Sequence, residues 1–196
     1  MTDVERLPDP APYLPHLPPA SAIIVRNPDM DEAHRMAAAL MPGARRHDVA
    51  ILLSAPFPPV VLETDGVHIP EAALGRWKAS DIARLNPALV TASAHSQRAV
   101  MAAKRRGADA VLLSPVFPTR SHNTVASLGL SRFAAIAAKA DLPVIALGGI
   151  TQARVLRVLL AGASGLAGIG LFGPGDAANP WPNGVPLSAS KSGGFQ

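Results

Sequence analysis

The sequence predicts an α/β protein built as a (β/α)8 TIM barrel, and three observations predict it. Seven short apolar runs alternate with helical segments along the 196 residues. They are continuous rather than alternating, as in parallel strands buried on both faces. Small, turn-forming residues end many of these runs, at the side where a barrel gathers its binding loops. Two late strand ends, Gly148-Gly149 and Gly168-Ile169-Gly170, offer backbone N–H groups with no side chain in the way, as a phosphate site at a barrel mouth requires. A doubly wound sheet would also alternate, but it would concentrate its functional punctuation at a central crevice.

Each element has its own justification. Residues 1–20 are rich in proline and read as an irregular, extended lead-in. Residues 21–26 (SAIIVR) form a short buried strand. Asn27-Pro28-Asp29 starts a helix that reaches about Leu40, and Met41-Pro42-Gly43 ends it. Residues 49–54 are the next strand, and Pro56, Pro58 and Pro59 force the loop after it. Residues 66–69 are a strand, followed by a short helical piece near 71–77. Residues 89–93 are a strand, and 96–106 a helix closed by Gly107. Strands at 110–114, 144–147 and 165–169 complete the series, with helices at 131–140 and 152–161 between them. The domain is expected to span 1–172. The tail from 173 to 196 is poor in branched apolar residues and is expected to be disordered.

Composition narrows the function classes. Cysteine is absent, which removes disulfide frameworks and thiolate metal sites and suits a reducing, cytoplasmic setting. No apolar run has the length of a membrane span. The net charge of +4 permits anion binding, but one Tyr and two Trp leave little to stack on bases, so small phosphorylated molecules fit better than nucleic acid.

The candidate site residues cluster at strand ends. Arg26 closes a buried strand, where a charge is costly unless it meets an anion or a carboxylate. Ser93 is expected to face the barrel mouth, while Ser96 caps the next helix. The polar loop that holds Thr119, Arg120, Ser121 and His122 could grip a second anion such as pyrophosphate. Gly148, Gly149, Ile169 and Gly170 make the phosphate pocket. His68, inside a strand, reads as a satisfied core or rim histidine, and no histidine pair has metal-ligand spacing.

These residues resemble the thiamine phosphate synthase/TenI family over about residues 2–172. The resemblance is carried by GADAVLLSPVFPTRSH at 107–122, PVIALGGIT at 143–151, TDGVHIPE at 64–71 and SAIIVRNPD at 21–29. It implies a (β/α)8 barrel that joins an aminopyrimidine methyl diphosphate to a thiazole phosphate, releasing pyrophosphate and using Mg2+. Thiamine phosphate is the product, and a homodimer is compatible. By the same resemblance Arg26 and Ser93 meet the departing pyrophosphate, and Thr119 and Ser121 are the hydroxyl residues of the sixth strand-end loop. Gly149 contacts the thiazole-side phosphate, and Ile169-Gly170 completes that pocket.

The chain departs from the family pattern at several positions. Ile24 and Pro28 replace a glutamine and a lysine. Ser54-Ala55 stands for Asn-Asp, Ala73 for a metal-binding aspartate, and His122 for a lysine. Both expected magnesium carboxylates are therefore replaced, with Glu63, Asp65 and Glu71 the nearby acids. A TenI-type thiazole tautomerase is an alternative, although Pro115 stands where its proton-transfer histidine is expected. A non-catalytic phosphate-ligand-binding homologue is another. Thr2-Asp3 matches the end of the family's first strand, so most of that strand is expected upstream of Met1.

Overall fold

A computed structural model of the chain describes residues 1–18, 20–119, 126–169 and 171; the expectation for 173–196 lies outside these. Seven strands form one sheet: β1 (Ala22–Val25), β2 (Ala50–Ser54), β3 (Gly66–Ile69), β4 (Leu89–Ala94), β5 (Ala110–Leu113), β6 (Val144–Leu147) and β7 (Gly165–Ala167). All neighbours are parallel and the spatial order is the sequence order. Five α-helices connect them: α1 (Met30–Arg46), α2 (Ala79–Leu85), α3 (Gln97–Arg105), α4 (Gly129–Ala137) and α5 (Val155–Leu160). Each apolar run expected to be a strand is one, because a run buried on both faces is stabilised only between helices and an interior.

The sheet is curled. Ile24 of β1, Leu52 of β2 and Leu112 of β5 share one buried cluster, joined by Ile145, Leu147 and Ala167. Strands so far apart in the sheet order meet only if their inner faces turn toward each other. The opposite residues on the same strands, such as Ile23, Val25, Ile51 and Leu53, pack under α1 with Ala33, Ala37, Leu40 and Ala44. A larger outer cluster runs from Val67 and Val90 to Phe133 and Val158. Gly66 is required in the interior layer: a Cβ there would lie 2.0 Å from the Leu89 carbonyl oxygen and 2.7 Å from a Leu52 methyl.

The barrel has a seam. Among the described residues β1 pairs only with β2, and β7 only with β6. Residues 1–3 lie along the outer edge of β1: the Thr2 amide donates to the Ile24 carbonyl at 2.9 Å. The Thr2 hydroxyl accepts from the Arg26 amide at 2.8 Å and donates to its carbonyl at 3.1 Å. Thr2-Asp3 thus sits where the end of a preceding strand would sit.

Three local expectations are corrected. Helix α1 does not stop at 41–43 but runs through Pro42 to Arg46. Proline removes one helix N–H, yet Ala44, in the turn of α1 that follows it, is fully buried against the strands, and tertiary packing outweighs that local penalty. The lead-in is not wholly extended. Asp3 and Leu7 form an antiparallel bridge, and Ala11–His16 is a 3-10 helix whose Leu14 is buried in the core. Helix α2, absent from the sequence reading, is seven residues long and has only Ile82 and Leu85 as large apolar residues, partly buried against the outer cluster. It buries no residue fully and is closed by Asn86 in the left-handed region at φ 44°.

Candidate functional site

The C-terminal ends of the strands surround a cavity of about 400 Å³, lined by Arg26, Ser114, Thr119, Gly148, Ile169 and the N-terminal residues Asp3 and Arg6, among others. It therefore joins the mouths of β1, β5, β6 and β7. Four of the sequence-derived site residues meet here: Arg26, Thr119, Gly148 and Ile169.

Gly148 and Gly149 adopt φ values of +99° and +64°, open to glycine and strained for other residues. Space demands glycine as well. A Cβ on Gly148 would lie 2.9 Å from the Cα of Pro115, and one on Gly149 would lie 2.5 Å from the Pro118 carbonyl oxygen. The turn is pressed against the loop after β5 and pinned there. Phe117 N–H donates to the Gly148 carbonyl at 3.1 Å, and Arg154 donates to the Gly149 carbonyl at 2.7 Å while stacking 4.5 Å from the Phe117 ring centre. The two carbonyls are spoken for, while neither glycine N–H has an acceptor among the described residues. Gly148 borders the cavity, and Gly149 follows it in the same turn. The helix beyond starts only at Gln152, as a 3-10 turn followed by the six residues of α5. The site consequently rests on the turn amides and not on a helix dipole.

Arg26 is not buried, as the sequence suggested. It is the first residue past β1 and its side chain is exposed, so the desolvation argument does not apply to it. Its guanidinium has no hydrogen bond or ion pair among the described residues. That leaves a charge-assisted donor at the cavity edge without a protein acceptor.

Ser93 is engaged elsewhere. His68, 1% exposed, bonds through Nε2 to the Ser93 hydroxyl at 2.8 Å and through Nδ1 to the Thr91 hydroxyl at 2.9 Å. Burial pushes this imidazole down to about 3, and the positive Met1 amine and Arg26 act in the same direction. His68 is thus a neutral interior tie between β3 and β4. Ser121, His122 and Gly170 lie outside the described residues.

The magnesium expectation can be tested on the corner where its carboxylates would stand. Ala55 and Ala73 are buried, 0% and 1% exposed, against the equally buried Trp77, whose Nε1 donates to the Ala55 carbonyl at 3.2 Å. Of the nearby acids, Asp65 accepts from the Ile51 amide at 2.8 Å. Glu71 accepts from both the amide and the Nδ1 of His95, at 2.6 and 2.5 Å. Among the described residues no three His, Cys, Asp or Glu side chains are grouped to hold a metal ion. This corner is apolar packing and does not fit a carboxylate-held Mg2+.

Sequence reasoning missed the contribution of Asp3 and Arg6 to the cavity. The signal was present: a segment matching the end of a barrel strand places the residues after it at the mouth. Among the described residues no helix is long and apolar enough to cross a membrane.

A family model described as thiamine monophosphate synthase (TMP-TENI) matches residues 18–172. An Aquifex aeolicus protein that carries the thiamine-phosphate synthase name is 34% identical over 143 residues, 72% of this chain and 75% of that one. The thiamine-phosphate synthase of Methanoculleus marisnigri is 40% identical over 134 residues, 67% of this chain and 58% of its own length. Among solved structures, the thiamine phosphate pyrophosphorylase from Pyrococcus furiosus superposes with a TM-score of 0.66 at 22% identity, covering 84% of this chain and 81% of that one. That likeness establishes the same curled parallel α/β architecture.

Proposed function

The chain belongs to the thiamine monophosphate synthase (TMP-TENI) family, and from that premise we propose that it joins an aminopyrimidine methyl diphosphate to a thiazole phosphate and releases pyrophosphate. The observation that carries the proposal is the convergence of Arg26, Thr119, Gly148 and Ile169 on one cavity at the strand C-termini. Four residues separated by up to 143 positions in sequence would not share a mouth without the barrel. Their chemistry suits phosphates: a guanidinium, a hydroxyl and turn amides.

The reaction asks little of acid–base groups. The methylene C–O bond breaks and its electron pair leaves with pyrophosphate. The electron-rich pyrimidine carries the resulting cation, and the thiazole nitrogen lone pair forms the new C–N bond. Catalysis then consists of stabilising charge on the leaving group and holding the two rings in line. Arg26 is assigned to the departing pyrophosphate, and the Gly148-Gly149 amides to the thiazole-side phosphate. Mg2+ would supply further neutralisation of the diphosphate, but the buried Ala55–Ala73 corner does not fit it.

The ligands are therefore small phosphorylated heterocycles. The test is turnover: both substrates, magnesium and protein, with pyrophosphate release and thiamine phosphate formation followed together. Formation of both in equal amounts supports the assignment. Binding of thiazole phosphate without product would instead favour the non-catalytic homologue, a reading to which the packed Ala55–Ala73 corner lends weight. The tautomerase reading is disfavoured, since Pro115 offers no proton-transferring group at the cavity wall.

A further inference from the structure

We propose that Arg6, on the N-terminal turn, is a second diphosphate-binding guanidinium of this cavity and acts beside Arg26. The inference rests on the reaction assigned above and names the group that helps to hold its leaving group.

Arg6 is built into position. Asp3 and Leu7 exchange backbone hydrogen bonds at 3.4 and 2.8 Å, closing a tight turn. The Asp3 carboxylate organises that turn: Oδ1 accepts from the Glu5 and Arg6 amides at 3.3 and 3.1 Å, and Oδ2 accepts from Arg6 Nη2 at 3.1 Å. Arg6 holds the Asp3 carboxyl below its usual value through this bond, although the pair is largely solvated. The turn is in turn fixed to the strand that carries Arg26, because the Thr2 hydroxyl bonds to both the amide and the carbonyl of Arg26. One anchor therefore sets the spacing of the two arginines, and both line the same cavity.

A guanidinium has five N–H donors, and Asp3 engages one nitrogen of Arg6. The remaining fork has no acceptor among the described residues and is available to an oxyanion. Asp3 and Glu5 also line the cavity. Asp3 is balanced by Arg6 itself, so the ligand meets Arg26 together with a guanidinium that is already oriented. This arrangement answers a deficit in charge. Pro28 replaces one expected lysine, and alanines occupy the expected metal corner. A diphosphate, with two linked phosphoryl groups, can span two guanidiniums, whereas a monophosphate engages fewer donors.

The experiment is calorimetric titration of the wild type, Arg6→Gln and Arg6→Lys with inorganic pyrophosphate and with inorganic phosphate, in the presence of a chelator. Arg6→Gln is expected to weaken pyrophosphate about tenfold or more and phosphate much less, with Arg6→Lys intermediate. The melting temperature should stay unchanged, since exposed ion pairs contribute little to stability. Pyrophosphate binding to Arg6→Gln within about twofold of the wild type, or no pyrophosphate binding to the wild type, overturns the inference. Thiazole phosphate binding and turnover, measured on the same wild-type protein, report separately on the reaction itself.

Discussion

His68 makes the folded protein sensitive to mild acid, and the size of the effect can be worked out. The imidazole is buried and neutral, with its value lowered to about 3 from 6.5. Between these values the unfolded chain binds a proton that the folded chain refuses. The stabilising contribution is therefore complete above the unfolded value and is lost as the pH falls toward the folded one. Each pH unit in that window costs about 1.4 kcal/mol, so moving from about pH 7 to about pH 5 should remove about 2 kcal/mol. Urea unfolding at the two pH values measures it. With a slope of about 2 kcal/mol per molar, the midpoint should fall by about 1 M through this residue alone. His68→Gln removes the titrating group. It should be less stable at neutral pH, because the Thr91 and Ser93 hydroxyls lose their ring partners, but its acid loss should be smaller by the same 2 kcal/mol, approximately. An equal acid loss in wild type and variant would refute the assignment of His68 as a neutral buried tie.

Other perturbations test the frame around the site. Gly66→Ala places a Cβ 2.0 Å from the backbone oxygen of Leu89, which cannot yield as a side-chain end can. A loss of about 3 kcal/mol or more is expected in urea unfolding. Ser96 accepts the Ala99 amide at 3.2 Å and caps α3, so Ser96→Ala should cost about 1 kcal/mol with no change in ligand affinity. Arg26→Gln, at an exposed side chain with no protein partner among the described residues, should leave the melting temperature unchanged and weaken pyrophosphate about tenfold.

The strands were legible because a parallel sheet covered on both faces needs unbroken apolar runs, and runs such as AVLL at 110–113 have no other economical reading. The Ser96 cap was legible because its hydroxyl acts within one turn. Features set by distant packing were not. Pro42 is a local stop signal, overridden because Ala44, further along α1, is buried in the core. Helix α2 is seven residues long and packs only Ile82 and Leu85, partly buried, against the outer cluster, too little to leave a readable helical period. For the site, the glycine turn could be read from two adjacent glycines after a strand. Its close fit against Pro115–Pro118, by contrast, depends on β5 and β6 being neighbours. Ser93 looked like a mouth residue because alternation points it inward. The same alternation points His68 inward from β3, and the parallel register, with His68 opposite Thr91, lets the histidine take the Ser93 hydroxyl. Arg6 was only indirectly legible: the match of Thr2-Asp3 to a strand end points the next residues to the mouth, but the Thr2 hydroxyl bonds that fasten the turn to Arg26 depend on tertiary structure.

The central claim is that the cavity bounded by Arg26, Thr119, Gly148 and Ile169 receives a phosphorylated heterocycle. A crystal structure of the protein soaked with thiamine phosphate tests it most directly. The account predicts the phosphate within hydrogen-bonding distance of the Gly148-Gly149 amides and the pyrimidine directed toward Arg26. A phosphate bound at another surface, with this cavity left to solvent at saturating ligand, would contradict it.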